Sequence, residues 1–194
     1  MKYAYISREV KIPADQKVSC KLDGKKVEVK GPKGMVARDF SHARNVELNM
    51  PSKDKITVEA KFPRKADMAM VGTVEGHIKN MIIGVTQGFK YKMVIAYAHF
   101  PVTCSVDKNK NIFEIKNFQG ERGNRTVPIV GNVKITTTKD QVVIEGIDKE
   151  EVSLNAGRIQ QCAKVFHKDR RIFQDGIYVF EKYAGESLFW HVKL

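Results

Sequence analysis

Basic residues are interleaved with aromatic residues in two short segments of this 194-residue chain. Residues 88–92 read GFKYK, and residues 164–173 read KVFHKDRRIF. Lysine and arginine side chains neutralise phosphate groups, and tyrosine and histidine rings stack on unpaired bases. A third segment, residues 119–125, is basic and contains glycines that permit close approach to a sugar–phosphate backbone. The candidate RNA contacts are Lys90, Tyr91, Lys92, Arg122, Arg125, Lys164, His167, Lys168, Arg170 and Arg171.

The alternative for each segment is a solvated surface loop whose phenylalanines belong to the core. The phenylalanines that we expect in the core are Phe89, Phe166 and Phe173. For Lys168, Arg170 and Arg171 we favour phosphate contact, because this dense group of cations follows a predicted helix. Phe173, with Ile177 and Tyr178, is then expected to anchor the loop.

Sequence patterns of enzymes and metal sites are not found. No two of the five histidines lie three or four positions apart, so a helical metal-binding pair is excluded. No nucleophile elbow, Walker A, dinucleotide or kinase motif occurs. Cys20, Cys104 and Cys162 form no C-x-x-C pair, and we expect reduced thiols without zinc or disulfides. We therefore expect neither a cofactor, nor a metal, nor an enzyme.

The charge balance predicts a polyanionic partner. The chain carries a formal net charge of +12, and RNA, DNA and anionic membranes all attract such a surface. The apolar runs are shorter than the roughly 18 residues that span a membrane. The first residues lack the apolar core of a secretory signal, and we expect a cytoplasmic or nuclear protein.

The chain repeats itself with a constant offset. Residues 25–34 (KKVEVKGPKG) align with residues 111–120 (NIFEIKNFQG), and residues 53–60 align with residues 139–146, both at an offset of 86. In each copy, apolar and polar residues alternate as in a β-strand and a segment of helical periodicity follows. Residues 31–34 (GPKG) predict a hairpin turn, since the Gly-Lys-Ser/Thr ending of a phosphate-binding loop is missing.

These patterns predict an α+β fold, formed by tandem duplication of an antiparallel sheet packed on one face by a single helix. The first repeat is expected over residues 1–83 and the second over residues 84–194. The first helix is predicted from Val71 to Val85. The second begins after Asp148 and runs to Phe166.

Residues 161–182 (QCAKVFHKDRRIFQDGIYVFEK) resemble the signature of the L-six/L-nine family of large-subunit ribosomal proteins, in its archaeal/eukaryotic branch and of the eukaryotic cytosolic L-nine type. Residues 88–93, 97–101 and the sequence Asn117-Phe118-x-Gly120 are similar to further motifs of that family. Gln119 stands where the family pattern has Leu, and residues 187–194, with Phe189 and Trp190, match no part of it.

The resemblance implies a structural constituent of the large ribosomal subunit that supports cytoplasmic translation. It implies binding and scaffolding of large-subunit rRNA, mainly through the second repeat. The implied position is near the sarcin-ricin loop and the region where translational GTPases dock, beside neighbouring large-subunit proteins. It further implies that the protein resides in cytoplasmic ribosomes and is assembled into them in the nucleolus. Neither a membrane nor a small-molecule substrate is an implied partner.

Two other classes stay open from the residues alone. One is an RNA-binding module outside the ribosome, and the other is a nucleic-acid-modifying enzyme. Co-sedimentation with large subunits separates the ribosomal protein from both, and an enzyme would show turnover and a substrate pocket.

Overall fold

The computed structural model describes residues 4–13, 18–52, 54–169 and 171–192. It divides into two compact units, Met1–Gln87 and Gly88–Leu194. The division follows the end of the first helix at Thr86.

The described residues of the first unit form two three-stranded antiparallel sheets and one helix. The strands are β1 (Tyr5–Lys11), β2 (Ser19–Asp23), β3 (Lys26–Gly31), β4 (Gly34–Asp39), β5 (Glu47–Ser52) and β6 (Lys55–Lys61). One sheet has the order β1-β6-β5 and the other the order β2-β3-β4. Helix α1 (Lys65–Thr86) follows.

The apolar stripe of α1 forms the core of the first unit. Val71, Val74, Ile78 and Val85 are fully buried, as their helical spacing predicts. Asp67 closes the start of the helix, since its carboxylate accepts a hydrogen bond from the Arg64 amide at 2.8 Å. The predicted first helix is thus present and closely packed.

In the part of the second unit that the structure describes, there are again two antiparallel sheets and one helix. Its elements are β7 (Phe89–Ala96), β8 (Thr103–Asp107), β9 (Ile112–Lys116), β10 (Arg125–Pro128), β11 (Lys134–Thr137), β12 (Gln141–Gly146), α2 (Lys149–Cys162), β13 (Gly176–Ala184) and β14 (Ser187–His191). The three-stranded sheet has the order β10-β9-β8, and the five-stranded sheet has the order β11-β12-β7-β13-β14. Helix α2 packs on β12, β7 and β13.

The α+β duplication predicted from the repeat is confirmed by the strand orders. The order β1-β6-β5 of the first unit returns as β7-β12-β11, and β2-β3-β4 returns as β8-β9-β10. The prediction had one antiparallel sheet in each repeat, whereas the strands of each repeat are divided between two sheets. The second unit adds the β13–β14 hairpin beside β7.

Helix α2 starts where predicted but ends earlier. Asp148 caps it by accepting the Glu150 amide at 2.9 Å. Buried Asn155 holds it in place, because its side chain bonds the amide and carbonyl of Val130 at 3.0 and 2.7 Å. The helix ends at Cys162. The prediction that Phe166 lies on its apolar face was therefore wrong.

The turn at residues 31–34 is the predicted hairpin, between β3 and β4. It lies against the end of α1. The Lys33 amide donates to the Val85 carbonyl at 3.0 Å, and the Lys33 ammonium donates to the Gln87 carbonyl. A lysine at this end of a helix favourably opposes the helix dipole.

Candidate nucleic-acid interface

The basic segment after α2, residues 163–175, connects this helix to β13, and we call it the α2–β13 loop. Asp169 shapes its tip. The Asp169 carbonyl accepts the amides of Ile172 and Phe173 at 3.1 and 2.9 Å, and its carboxylate accepts the Arg171 amide at 2.9 Å. Arg170 lies outside the described residues. These hydrogen bonds define the backbone conformation of the described residues around Asp169.

The cations of this loop face solvent. Lys164, His167 and Lys168 are exposed, and the Arg171 side chain retains 93 % of its accessible surface. The Lys168 Nζ lies 4.8 Å from the centroid of the Phe173 ring. A cation beside an exposed ring suits both phosphate and base contacts.

Buried contacts hold the base of the loop. Asp175 is buried, and its carboxylate accepts the Ala98 amide at 2.9 Å and the Gln119 side-chain amide at 3.5 Å. The Tyr178 hydroxyl donates to the Gln174 carbonyl at 3.1 Å. A side chain at Gly176 would clash with the Tyr178 ring, since an added Cβ would lie 2.6 Å from it.

In the protein without RNA, the Arg125 side chain forms hydrogen bonds within the second unit. Its guanidinium pairs with both carboxylate oxygens of Glu121 at 2.8 and 2.6 Å, and it donates to the carbonyls of Cys162 and Lys164 at 2.6 and 2.9 Å. These hydrogen bonds hold the pKa of Glu121 below its ordinary value. Arg125 thus ties residues 121–125 to the end of α2, while Arg122 beside it is exposed.

Lys90 and Lys92 lie on the face of β7 opposite to its buried face. Each opposes a glutamate on a neighbouring strand: Lys90 pairs with Glu145 at 3.0 Å and Lys92 with Glu181 at 2.9 Å. The hydrogen bond from Lys92 lowers the pKa of Glu181 and keeps this carboxylate charged. These two lysines are therefore partly neutralised by cross-strand partners.

Tyr91 belongs to the core. Its side chain is 3 % exposed, and burial raises the pKa of its phenol. A ring with so little accessible surface offers no face for a base, so we leave Tyr91 out of the interface.

Two phenylalanines expected in the core are on the surface instead. Phe89 is buried as predicted, but Phe166 is 57 % exposed and Phe173 is 40 % exposed. Ile172, which directly precedes Phe173, is 74 % exposed. The available signal for exposure was the charged sequence neighbours, Lys164 and Lys168 around Phe166 and Arg171 before Phe173, because charged residues rarely enter a core.

The described residues contain no group of three or more histidine, cysteine or acidic side chains that could hold a metal ion. Within the same part of the chain, no helix is long and apolar enough to span a membrane. All three cysteines are free and half-buried, and burial raises the pKa of Cys20 and Cys104 to about 11.

Comparison with known proteins agrees with the duplicated fold. The sequence model of the family described as Ribosomal protein L6 matches twice, over residues 12–88 and 100–176. The protein named large ribosomal subunit protein uL6 from Desulfurococcus amylolyticus is 44 % identical over 95 % of this chain and 97 % of its own length. Its namesakes from Staphylothermus marinus and Methanobrevibacter smithii are 44 % and 43 % identical, over 93 % and 92 % of this chain and 97 % of their own lengths. The family resemblance of residues 161–182 is confirmed, and the chain belongs to the Ribosomal protein L6 family.

Proposed function

We propose that this chain is a structural constituent of the large ribosomal subunit that binds and scaffolds large-subunit rRNA. The relatives carry names that place them in the large subunit. The net charge of +12 supports an RNA partner, because basic side chains that neutralise phosphates supply most non-specific affinity. The expectation that the chain is not an enzyme is confirmed by its membership in a family of structural ribosomal components.

The observation that carries the proposal is the α2–β13 loop, where exposed cations stand on a firmly anchored base. Arginine offers paired hydrogen bonds to phosphate oxygens, and lysine offers a point charge. Asp169 and Asp175 fix the loop before RNA arrives, so little conformational entropy is lost on binding. In this proposal, the second unit is the main rRNA-binding part.

The proposed rRNA contacts differ in rank. The exposed set in and beside the α2–β13 loop is Arg122, Lys164, His167, Lys168 and Arg171, with Arg170 added on the sequence. Arg125 acts as a positioning residue, since four of its hydrogen bonds stay within the protein. Lys90 and Lys92 rank last because of their glutamate partners.

The family resemblance extends the proposal to a location. On this basis we propose a position near the sarcin-ricin loop and the docking region of translational GTPases, beside other large-subunit proteins. Cytoplasmic ribosomes are its proposed site of residence, and in a nucleated cell its assembly is nucleolar.

Sucrose-gradient sedimentation of a cell extract tests this function. We expect the full chain in the large-subunit and complete-ribosome fractions. The variant Lys168→Ala, Arg170→Ala, Arg171→Ala should shift toward the top of the gradient. The control Lys11→Ala, Lys21→Ala, Lys30→Ala removes three exposed lysines of the first unit and should not shift. A wild-type protein found mainly at the top would overturn the proposal.

A further inference from the structure

A groove lies in the second unit between α2 and the β13–β14 hairpin. Its volume is about 970 Å³, and its lining includes two exposed aromatic residues, Tyr178 and Trp190. A smaller cavity of about 310 Å³ shares Tyr178 with it and reaches Lys164 and Phe173 of the α2–β13 loop. The linings of the two cavities also share Gln160, Gln161 and Gln174, and we call the two cavities together the α2 groove.

The hairpin end of the α2 groove presents aromatic rings to solvent. The β13–β14 register shifts between Lys182 and Tyr183, so that Lys182 opposes Trp190 while Tyr183 opposes Leu188. Phe189 is thus the extra residue of a bulge. Phe189 and Trp190 are 45 % and 40 % exposed. All five residues of β14 are exposed, and of the two adjacent aromatic residues Trp190 lines the larger cavity.

Cations lie over these rings. The Lys182 Nζ is 4.3 Å from the centroid of Trp190, and the Lys149 Nζ is 5.5 Å from the centroid of Phe189. The opposite end repeats the combination, with Lys168 Nζ at 4.8 Å from Phe173. Lysine beside an exposed ring therefore marks both ends of the α2 groove.

Between the ends, the lining is uncharged. Among the described residues that line the larger cavity, Lys182 carries the sole formal charge. Gln160, Gln161 and Gln174 line it. Gln160 Oε1 accepts the Val179 amide at 3.3 Å, and Gln174 Nε2 donates to the Arg171 carbonyl at 3.4 Å. An amide both donates and accepts hydrogen bonds, as the edge of an unpaired base requires.

We propose that the α2 groove binds a single strand of unpaired RNA nucleotides. The strand continues from RNA held at the α2–β13 loop, so this inference rests on the proposed function. Bases stack on Trp190 and Phe173, and Lys182 and Lys168 meet the adjacent phosphates. Aromatic platforms next to cations are the combination that recognises single strands without sequence preference. An apolar protein segment would leave the positive charges of Lys182 and Lys168 at the two ends without a partner.

Trp190 is the one tryptophan of the chain, so its fluorescence reports on the hairpin end directly. The full-length protein is titrated with a mixed-sequence oligoribonucleotide of about ten nucleotides, within the usual range of single-strand sites. We expect saturable quenching of tryptophan emission. Heparin and a duplex RNA of equal length supply charge without free bases, and we expect no quenching from either.

Variants test the same contact with a fluorescein-labelled oligonucleotide. Trp190→Ala should weaken binding roughly tenfold with an unchanged salt slope, and Trp190→Phe should restore most of the affinity. Lys182→Ala should lower the slope by about 0.7 instead. Gly157→Leu fills the groove from α2, where an added Cβ meets no atom within 4 Å. This variant should therefore fold normally and bind more weakly.

The outcomes separate this inference from the proposed function. If Trp190 fluorescence is not quenched while the protein still binds large-subunit rRNA through the α2–β13 loop, RNA binding in the groove is refuted and the proposed function is unaffected. Quenching by the single strand, with rRNA binding unaffected by Lys168→Ala, Arg170→Ala, Arg171→Ala, overturns the proposed loop interface and leaves the groove as the RNA site. A response to an apolar peptide of about ten residues, but not to RNA, assigns the groove to a protein partner and overturns the inference.

Discussion

The Arg125 guanidinium donates from Nη1 to the carbonyl oxygen of Cys162, the last residue of α2, at 2.6 Å. Neither helix has a basic residue in its own last turn. In each unit, a cation from outside the helix supplies the missing charge: Arg125 at α2, and Lys33 at α1, where its ammonium reaches the Gln87 carbonyl. Lys33 lies in the turn between β3 and β4, whereas Arg125 is the first residue of β10, so the two units supply this cation from different positions of the repeat.

Arg125→Ala should destabilise the second unit by about 2–3 kcal/mol, because it leaves Glu121 and two backbone carbonyls without their partner. Arg125→Lys should recover part of this loss, since lysine cannot form the bidentate pair. Urea unfolding followed by circular dichroism measures the change. Arg122→Ala, at an exposed neighbour, is the control and should stay within about 0.5 kcal/mol. Equal effects of Arg125→Ala and Arg122→Ala would contradict the structural role.

Changing Lys168, Arg170 and Arg171 to alanine should lower the magnitude of the salt slope for rRNA binding by roughly 2 to 3 units, because fewer counterions are released. Folding should be unaffected, since exposed charges contribute little stability. Affinity for a large-subunit rRNA fragment is measured at several salt concentrations. The control is Lys11→Ala, Lys21→Ala, Lys30→Ala, which removes the same charge from the first unit. An identical slope for both triple variants would show that the loop cations are merely solvated.

Phe173→Ala and Ile177→Ala should differ in their effect on stability. Ile177 is fully buried, and its truncation should cost about 2–5 kcal/mol. Phe173 keeps 40 % of its surface exposed, so its truncation should cost less than the 3–5 kcal/mol typical of a buried phenylalanine. Thermal or urea unfolding of both variants gives the comparison. A larger loss of stability for Phe173→Ala than for Ile177→Ala would show that the Phe173 ring belongs to the core.

The thiols of Cys20 and Cys104 should react slowly in the folded protein. Burial raises the pKa of each to about 11, so about 1 % of each is thiolate at pH 9. We expect alkylation by iodoacetamide at pH 9 to be roughly 50-fold slower than in urea-unfolded protein, with each site read by mass spectrometry. The raised pKa also predicts that stability falls as the pH rises through the ordinary thiol range toward 11. Equal rates in folded and unfolded protein would refute the burial of these thiols.

Much of the fold could be predicted from the sequence because periodicity is a local property. The alternation around Val27 and Val29 and the helical spacing of Val71, Val74 and Ile78 each correspond to buried faces. The offset of 86 aligns β3 with β9 and β6 with β12, starting at Lys26 and Ile112 and at Lys55 and Gln141. The division of each repeat into two small sheets could not be read, because alternation does not say which strand pairs with which.

The candidate site was only partly predictable. The sequence alone determined where the cations lie along the chain, and the dense group at residues 164–171 follows α2 as expected. Which of them are free for RNA was decided by tertiary contacts. Arg125 is occupied by carbonyls 37 and 39 positions away, and Tyr91 is buried in the five-stranded sheet. A hydrogen-bond partner or a covering layer that comes from a distant segment does not change the local sequence pattern around the residue it contacts. Only the tertiary structure therefore distinguishes a cation that is available to phosphate from one that has a structural role.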